Sequence, residues 1–193
     1  MTSIKQQDSA EAGKRKAAEW AASQIEDGMA VGLGSGTTSA LVIEEVGRRV
    51  AAGLRITAIA TSIASHQEAV GLGIPITDFA RQPQLDLTID GADEVEQGTL
   101  HLIKGHGGAL LREKIVAMAS KRLLIAVDPR KLVAKLGSVF TVPVEVVPFG
   151  WRRQLRVCAS MALLLNCVSM MTASLTSPTV NTTSCIAICR SRG

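Results

Sequence analysis

Tyrosine is absent from this chain of 193 residues, and aromatic residues make up 3% of it. Any core must then be built mostly from Ala, Val, Leu and Ile; the apolar total of 47% is enough for a full domain. Cysteine is missing from residues 1–150, and all four (Cys158, Cys167, Cys185 and Cys189) lie beyond them. Cys185 and Cys189 have no second pair or histidine nearby, which excludes a zinc knuckle and a Cys-x-x-Cys redox centre. A cysteine-free body suits a reducing compartment. Apolar runs such as Met161–Leu165 fall far short of the roughly 20 residues needed to span a bilayer. The first 16 residues have no apolar signal-peptide core. Cytoplasmic localisation with no membrane partner is expected. A basic footprint is also missing from the body. Residues 1–150 hold 16 Lys or Arg against 17 Asp or Glu, which leaves −1, whereas residues 151–193 hold five Arg, no Lys and no acid. The net charge of +4 comes from the tail, so a nucleic-acid partner is not expected.

What is present is an alternation of helical and strand patterns. Residues 10–26 read as an amphipathic helix capped by Ser9, with Ala17, Trp20, Ala21 and Ile25 at helical spacing. Lys14, Arg15 and Lys16 in it fit a solvated face, or one of them reaches a substrate phosphate. Met29–Leu33 is a short buried strand, followed by Gly34-Ser35-Gly36-Thr37-Thr38 and a helix over 38–51. Glycines let backbone N–H groups approach a ligand, and a helix N-terminus attracts anions. Alone, such a loop fits a tight turn as well as an oxyanion cradle. Thr37 stands where a dinucleotide fingerprint needs its third glycine. Arg55–Ala60 and Ile74–Thr77 read as strands flanking a helix over 63–71. Together these predict an α/β fold with a Rossmann-like, mostly parallel sheet and helices on both faces.

The stretch 85–114 carries the densest chemistry. A strand, Leu85–Ile89, ends in Asp90-Gly91-Ala92-Asp93-Glu94. A second apolar run, Leu100–Ile103, delivers Lys104 into Gly105-His106-Gly107-Gly108, and a helix over 107–119 carries Glu113. Arg122–Val127 reads as a further buried strand, closing on Asp128-Pro129-Arg130-Lys131, where Asp128 and Pro129 suit a helix start. Asp90-Gly91 is also good turn chemistry, Glu113 can be an ordinary helical glutamate, and Lys104 can simply end a strand.

Five motifs now resemble one family, ribose-5-phosphate isomerase type A: VGLGSGTTSA (31–40), DGADE (90–94), KGHGGALLREK (104–114), AVDPRK (126–131) and VPVEVVPFGW (142–151). The resemblance implies interconversion of D-ribose 5-phosphate and D-ribulose 5-phosphate, in the non-oxidative pentose phosphate pathway, without metal or cofactor. It implies that Ser35, Gly36, Thr37 and Thr38 form the substrate loop. Asp90, Gly91, Ala92, Asp93, Lys104, Gly105, His106 and Gly107 would line the sugar, with Lys131 a further contact. Glu113 is the implied proton acceptor, helped by Asp90, Asp93 and Lys104; no catalytic role is assigned to His106. A carboxylate can carry a proton between adjacent carbons when burial lifts its pKa, and the sequence neighbours Leu110, Leu111 and Ile115 suggest such burial. Lys104 and the glycine-loop N–H groups would stabilise the enediolate.

After Trp151 the motifs end and the composition changes. The expected organisation is a sugar-phosphate isomerase domain over 1–150 and an aberrant or divergent, poorly ordered tail over 151–193, as a shifted reading frame would give. The family's small α+β domain then looks truncated or replaced, and within the tail Met161–Met171 can form an apolar helix. The family's homodimer would be disfavoured, with apolar surface exposed at the sheet edge. Rival functions are a non-catalytic sugar-phosphate-binding module, an inactive truncated isomerase, and an enzyme resembling coenzyme A transferases with a covalent glutamate.

Overall fold

The structure, a computed structural model, describes residues 2–146, 149, 151–160, 163–168 and 185–191. In chain order its elements begin with α1 (Thr2–Ser23), β1 (Ala30–Leu33), α2 (Thr37–Ala51), β2 (Thr57–Ala60), α3 (Ile63–Gly71) and β3 (Leu85–Asp90). There follow β4 (Glu94–Glu96), β5 (Leu102–Ile103), α4 (Leu110–Met118) and β6 (Ser120–Ile125). A 3-10 turn (Pro129–Lys131), β7 (Leu132–Val133), β8 (Val142–Val146), α5 (Trp151–Ser160), β9 (Leu163–Val168) and β10 (Cys185–Ser191) complete them. The chain forms two compact units: Met1–Ala92 with Ala109–Leu132, and Asp93–Gly108 with Val133–Gly193. The second unit takes in segments from both sides of residue 150.

The first unit is a four-stranded sheet in the order β2-β1-β3-β6, parallel throughout. Strand alternation sends Val31, Leu33, Leu87 and Ile89 to one face. There they meet Val42, Ile43 and Val46 of α2 and the small residues Ala18, Ala21 and Ala22 of α1. Each buried Val, Leu or Ile contributes roughly 1.5–3 kcal/mol. Arg49 of α2 donates to the carbonyls of Ala22 and Ile25, tying α2 to the C-terminal end of α1 and the turn after it. On the opposite face Ala30 and Ile59 receive Val116 of α4, in a cluster that also takes in Leu85 at the start of β3. Helices therefore cover both faces, as the sequence predicts.

Gly32 is what lets α4 come close. A Cβ there would lie 1.9 Å from Thr88 Oγ1 and 2.6 Å from Val116 Cγ1. The order 2-1-3 also matters: from β1 the chain moves outward to β2, then crosses back to β3. The carboxyl ends of β1 and β3 are thus a topological switch point, where open α/β sheets hold ligands.

The second unit has α+β make-up. Strands β4 and β5 form an antiparallel hairpin within a sheet of order β5-β4-β7. Strand β10 pairs antiparallel with β8 and with β9. Among the described residues β8 is at the edge of that sheet, as Pro143 suggests.

Several sequence expectations are corrected. Helix α1 opens at Thr2, not at Ser9, and Trp20 is 61% exposed because Ala18, Ala21, Ala22 and Ile25 form the inward stripe. The strand at Ile74–Thr77 reduces to one bridge between Ala58 and Ile76. Leu100 is no strand residue: it sits exposed in the β4–β5 turn at φ 59. Among the described residues strand β6 is at the edge of its sheet and not a buried strand, with Arg122 and Leu123 exposed. Within Met161–Met171 the described residues Leu163–Val168 are strand, not helix. The rest of that segment, and residues 169–184 of the predicted poorly ordered tail, lie outside the described residues.

Candidate active site

The Gly34–Thr38 loop is fixed by what lies beneath it. Parallel register sets Leu33 beside Ile89, and the Gly34 N–H donates to the Ile89 carbonyl at 2.9 Å. One residue further, Asp90 is 2% exposed and its Oδ1 gathers three donors. These are the N–H groups of Ser35 (3.1 Å) and Gly91 (2.7 Å) and the Ser39 hydroxyl (3.3 Å). A Cβ on Gly34 would stand 2.2 Å from that oxygen, so glycine is required for the approach. Gly36 opens α2 at φ 94, a conformation that favours glycine.

Hydroxyls brace the loop from the β2 side. Ser35 Oγ is 2.7 Å from Thr61 Oγ1, which donates to the Leu33 carbonyl at 3.1 Å. Ser65 Oγ donates to the Gly34 carbonyl at 2.7 Å. The first intrahelical bond of α2 runs from Ala40 N–H to Gly36 O, so the N–H groups of Thr37, Thr38 and Ser39 precede the ladder. Lys14 Nζ lies 3.5 Å from Thr37 Oγ1, while Arg15 pairs with Glu44 at 3.5 Å. Of Lys14, Arg15 and Lys16, Lys14 is the one that meets the loop. Amides at a helix start, hydroxyls and an ammonium together make an anion cradle.

At the end of β6 the buried Asp128 caps the 3-10 turn by accepting from the Arg130 N–H at 3.0 Å. The Arg130 side-chain hydrogen bonds hold the Asp128 carboxyl below its ordinary range, against the opposing effect of burial; the charge of Lys14 adds to the lowering. Lys131 belongs to this same turn. On α4, Glu113 is 6% exposed while Leu111 and Ile115 face out. Leu111 and Ile115 therefore do not bury Glu113, whereas Leu110 is half-buried. The burial of Glu113 follows from standing one turn before Val116 on the face turned to the sheet, since adjacent helical residues point about 100° apart.

The second unit organises its own set. Antiparallel pairing of Glu94 with Ile103 brings Lys104 across from Asp93, whose N–H donates to the Ile103 carbonyl at 2.8 Å. Gly105 turns the chain at φ 111, and the Gly108 N–H returns to the Gly105 carbonyl at 3.0 Å. The His106 N–H donates to Asp93 Oδ2 at 3.1 Å. His106 Nε2 is 2.7 Å from the Thr141 carbonyl, and its ring meets Phe140 edge-on at 5.1 Å.

The first unit thus gathers Ser35, Gly36, Thr37, Thr38, Asp90 and Gly91 at one strand-end crevice, and carries Glu113 and Lys131; Ala92 is its last residue before the chain crosses over. The second gathers Asp93, Lys104, Gly105, His106 and Gly107. Sequence reasoning missed Ser39, Thr61, Ser65 and Glu94. Thr61 had a signal, a hydroxyl residue at a strand's carboxyl end. Glu94 had none, because its partners lie 43 to 46 residues further on. Among the described residues no group of three or more His, Cys, Asp or Glu is arranged to hold a metal, and no helix is long and apolar enough to cross a membrane.

Comparison with known proteins gives a consistent result. The family model for ribose 5-phosphate isomerase A (phosphoriboisomerase A) matches residues 57–173, past the end of the last motif. Ribose-5-phosphate isomerase A of Gluconobacter oxydans is 56% identical over 138 residues, which cover 72% of this chain and 60% of the relative. The protein of the same name from Thermomicrobium roseum is 53% identical over 142 residues, covering 74% and 60%. The chain therefore spans about 60% of the length of these curated relatives. Among solved structures, ribose 5-phosphate isomerase A from Methanocaldococcus jannaschii superposes with a TM-score of 0.84 at 37% identity, covering 92% of this chain and 79% of that one. A D-ribose-5-phosphate isomerase in complex with phospho-erythronic acid also gives 0.84, at 32% identity over 94% and 79%.

Proposed function

This chain belongs to the ribose-5-phosphate isomerase A family, and on that premise we propose that it interconverts D-ribose 5-phosphate and D-ribulose 5-phosphate with Glu113 as the proton carrier. The phosphate is taken by the Ser35–Thr38 loop, its helix-start amides and Lys14. The Glu113 carboxylate removes the proton from C2 of the open-chain aldose, and the electron pair left behind forms the C1–C2 double bond of an enediolate. Delivering a proton from the Glu113 carboxyl to C1, with the O2 hydroxyl proton passing to O1, yields the ketose. Lys104 and the N–H groups of the glycine loop stabilise the oxyanion; Asp93 and Asp90 orient hydroxyls or relay their protons during ring opening. Lys131 supplies a further contact to the substrate, and no metal or cofactor takes part. Cytoplasmic location and a place in the non-oxidative pentose phosphate pathway come with this proposal, while the family's homodimeric assembly is disfavoured for this chain.

The observation that carries the reading is Glu113 itself. It is the one acid of α4, and the helix turns it inward while its apolar neighbours Leu111 and Ile115 face solvent. An ordinary surface glutamate would do the reverse. A coupled assay with ribose 5-phosphate tests the assignment. The wild-type chain is expected to turn over, and Glu113→Gln to lose about 10²- to 10⁴-fold, as removal of a general base does. Binding without turnover in the wild type favours a sugar-phosphate-binding module instead. Turnover retained by Glu113→Gln removes the glutamate from the mechanism.

A further inference from the structure

Glu94 is fully buried, at 0% exposure, yet the proposed reaction gives it no part. Its Oε2 accepts from the Gly137 N–H at 2.6 Å, and its Oε1 accepts from Val139 and Phe140 at 2.5 and 2.6 Å. The segment 137–140 therefore wraps the carboxylate in its own amides, a concavity of the kind that elsewhere binds free anions. Gly137, at φ 81, makes the turn that the wrap needs. Immediately after it comes the Thr141 carbonyl, 2.7 Å from His106 Nε2, and the Phe140 ring meets the imidazole in a T-shaped arrangement. The His106 N–H closes the circuit on Asp93, the residue next to Glu94.

We propose that Glu94 is a positioning residue: its carboxylate anchors the 137–140 segment, which through Thr141 and Phe140 holds His106 and hence the Lys104–Gly107 loop in register with Asp93. A carboxylate is suited to this. Amide donors converging on one site need an acceptor with several lone pairs, and a neutral amide would turn its NH₂ towards donors. The connection is long in sequence and short in space, and every link in it lies within the second compact unit. Its effect on turnover rests on the isomerase reading; its effect on the loop does not.

The test uses the full chain and the variant Glu94→Gln, followed by amide hydrogen exchange. Exchange at Gly137, Val139 and Phe140 is expected to accelerate about tenfold or more, as loss of hydrogen bonds to a charged group implies. The His106 amide should accelerate with them, while Gly34 and Ser35 of the first unit keep wild-type rates. The ¹⁵N shifts of His106 should show the Nε2–H tautomer in the wild type and a mixture in the variant. With ribose 5-phosphate, kcat should fall about tenfold or more, and inhibition by inorganic phosphate at the 35–38 loop should be unchanged. An unchanged His106 amide, or uniform acceleration along the whole chain, overturns the proposal. Should Glu94→Gln not fold, His106→Ala reads the same circuit backwards, because coupling is reciprocal. It must loosen the Val139 and Phe140 amides; if it leaves them at wild-type rates, the proposal is lost. A wild-type chain that turns over no ribose 5-phosphate sinks the isomerase reading, while the exchange results still decide the role of Glu94.

Discussion

Two buried carboxyls of this chain titrate low for stated reasons. At Glu94 burial raises the pKa, but the N–H groups of Phe140, Val139, Gly137 and Ser138 together outweigh it. At Asp128 the Arg130 hydrogen bonds dominate over burial. Both groups hold protons less tightly in the folded chain than in the unfolded one. On acidification the unfolded chain is therefore protonated first, and stability falls. The contribution is fully present above the ordinary values, 4.5 for Glu94 and 3.8 for Asp128, and is lost as pH drops through the lowered ones. Urea midpoints measured from about pH 7 to pH 3 should decline below pH 4.5, and Glu94→Gln should be less stable at pH 7 with a shallower decline. An identical pH profile for that variant would contradict the account. The place of Asp90 at a strand's end was legible from sequence, since an Asp-Gly there is visible locally. Its holding of Ser35, Ser39 and Gly91 was not, because those contacts depend on strand order. Glu94 was illegible for the same reason at longer range.

At the level of elements, the close packing of α4 on the sheet fixes the direction of Glu113. Gly32 leaves no room for a side chain beneath Val116. Gly32→Val should push α4 outward, destabilise the chain by roughly 1–3 kcal/mol and abolish turnover. Leu111→Ser, on the outward side of the same helix, should stay within about 0.5 kcal/mol and keep activity. Chemical denaturation with a parallel assay distinguishes the two; equal effects would show that α4 is not seated as described. The sequence was readable here where punctuation is local. Ser62 caps α3 by accepting from the Ser65 N–H, and the glycines around Thr37 mark the start of α2, so both helices stand where periodicity puts them. It was unreadable where exposure decides. Trp20 fits a helical apolar stripe by spacing, yet the core takes the alanines beside it. Strand β6 is apolar in sequence, yet among the described residues it lies at an edge.

For the whole molecule, the α/β architecture followed from the helix–strand rhythm, whereas the interleaving of two units could not, because composition does not record where the chain crosses from one to the other. The stripe Leu111, Ile115 and Met118 on the outside of α4, and Leu123 on the edge strand, leave apolar surface open to solvent. Such surface, beside an edge strand, favours self-association. Light scattering over a concentration series should show growing aggregates, reduced by replacing Leu111 and Met118 with Lys; a monodisperse wild type would contradict this. The proposed proton abstraction from C2 and delivery to C1 by one carboxyl has its own direct test, turnover of ribose 5-phosphate in heavy water followed by mass spectrometry and NMR of the ketose. An enediolate whose proton passes through Glu113 exchanges with solvent, so deuterium should appear at C1 with the wild-type chain and vanish with Glu113→Gln. Product formed without label, or label undiminished in the variant, would contradict the mechanism.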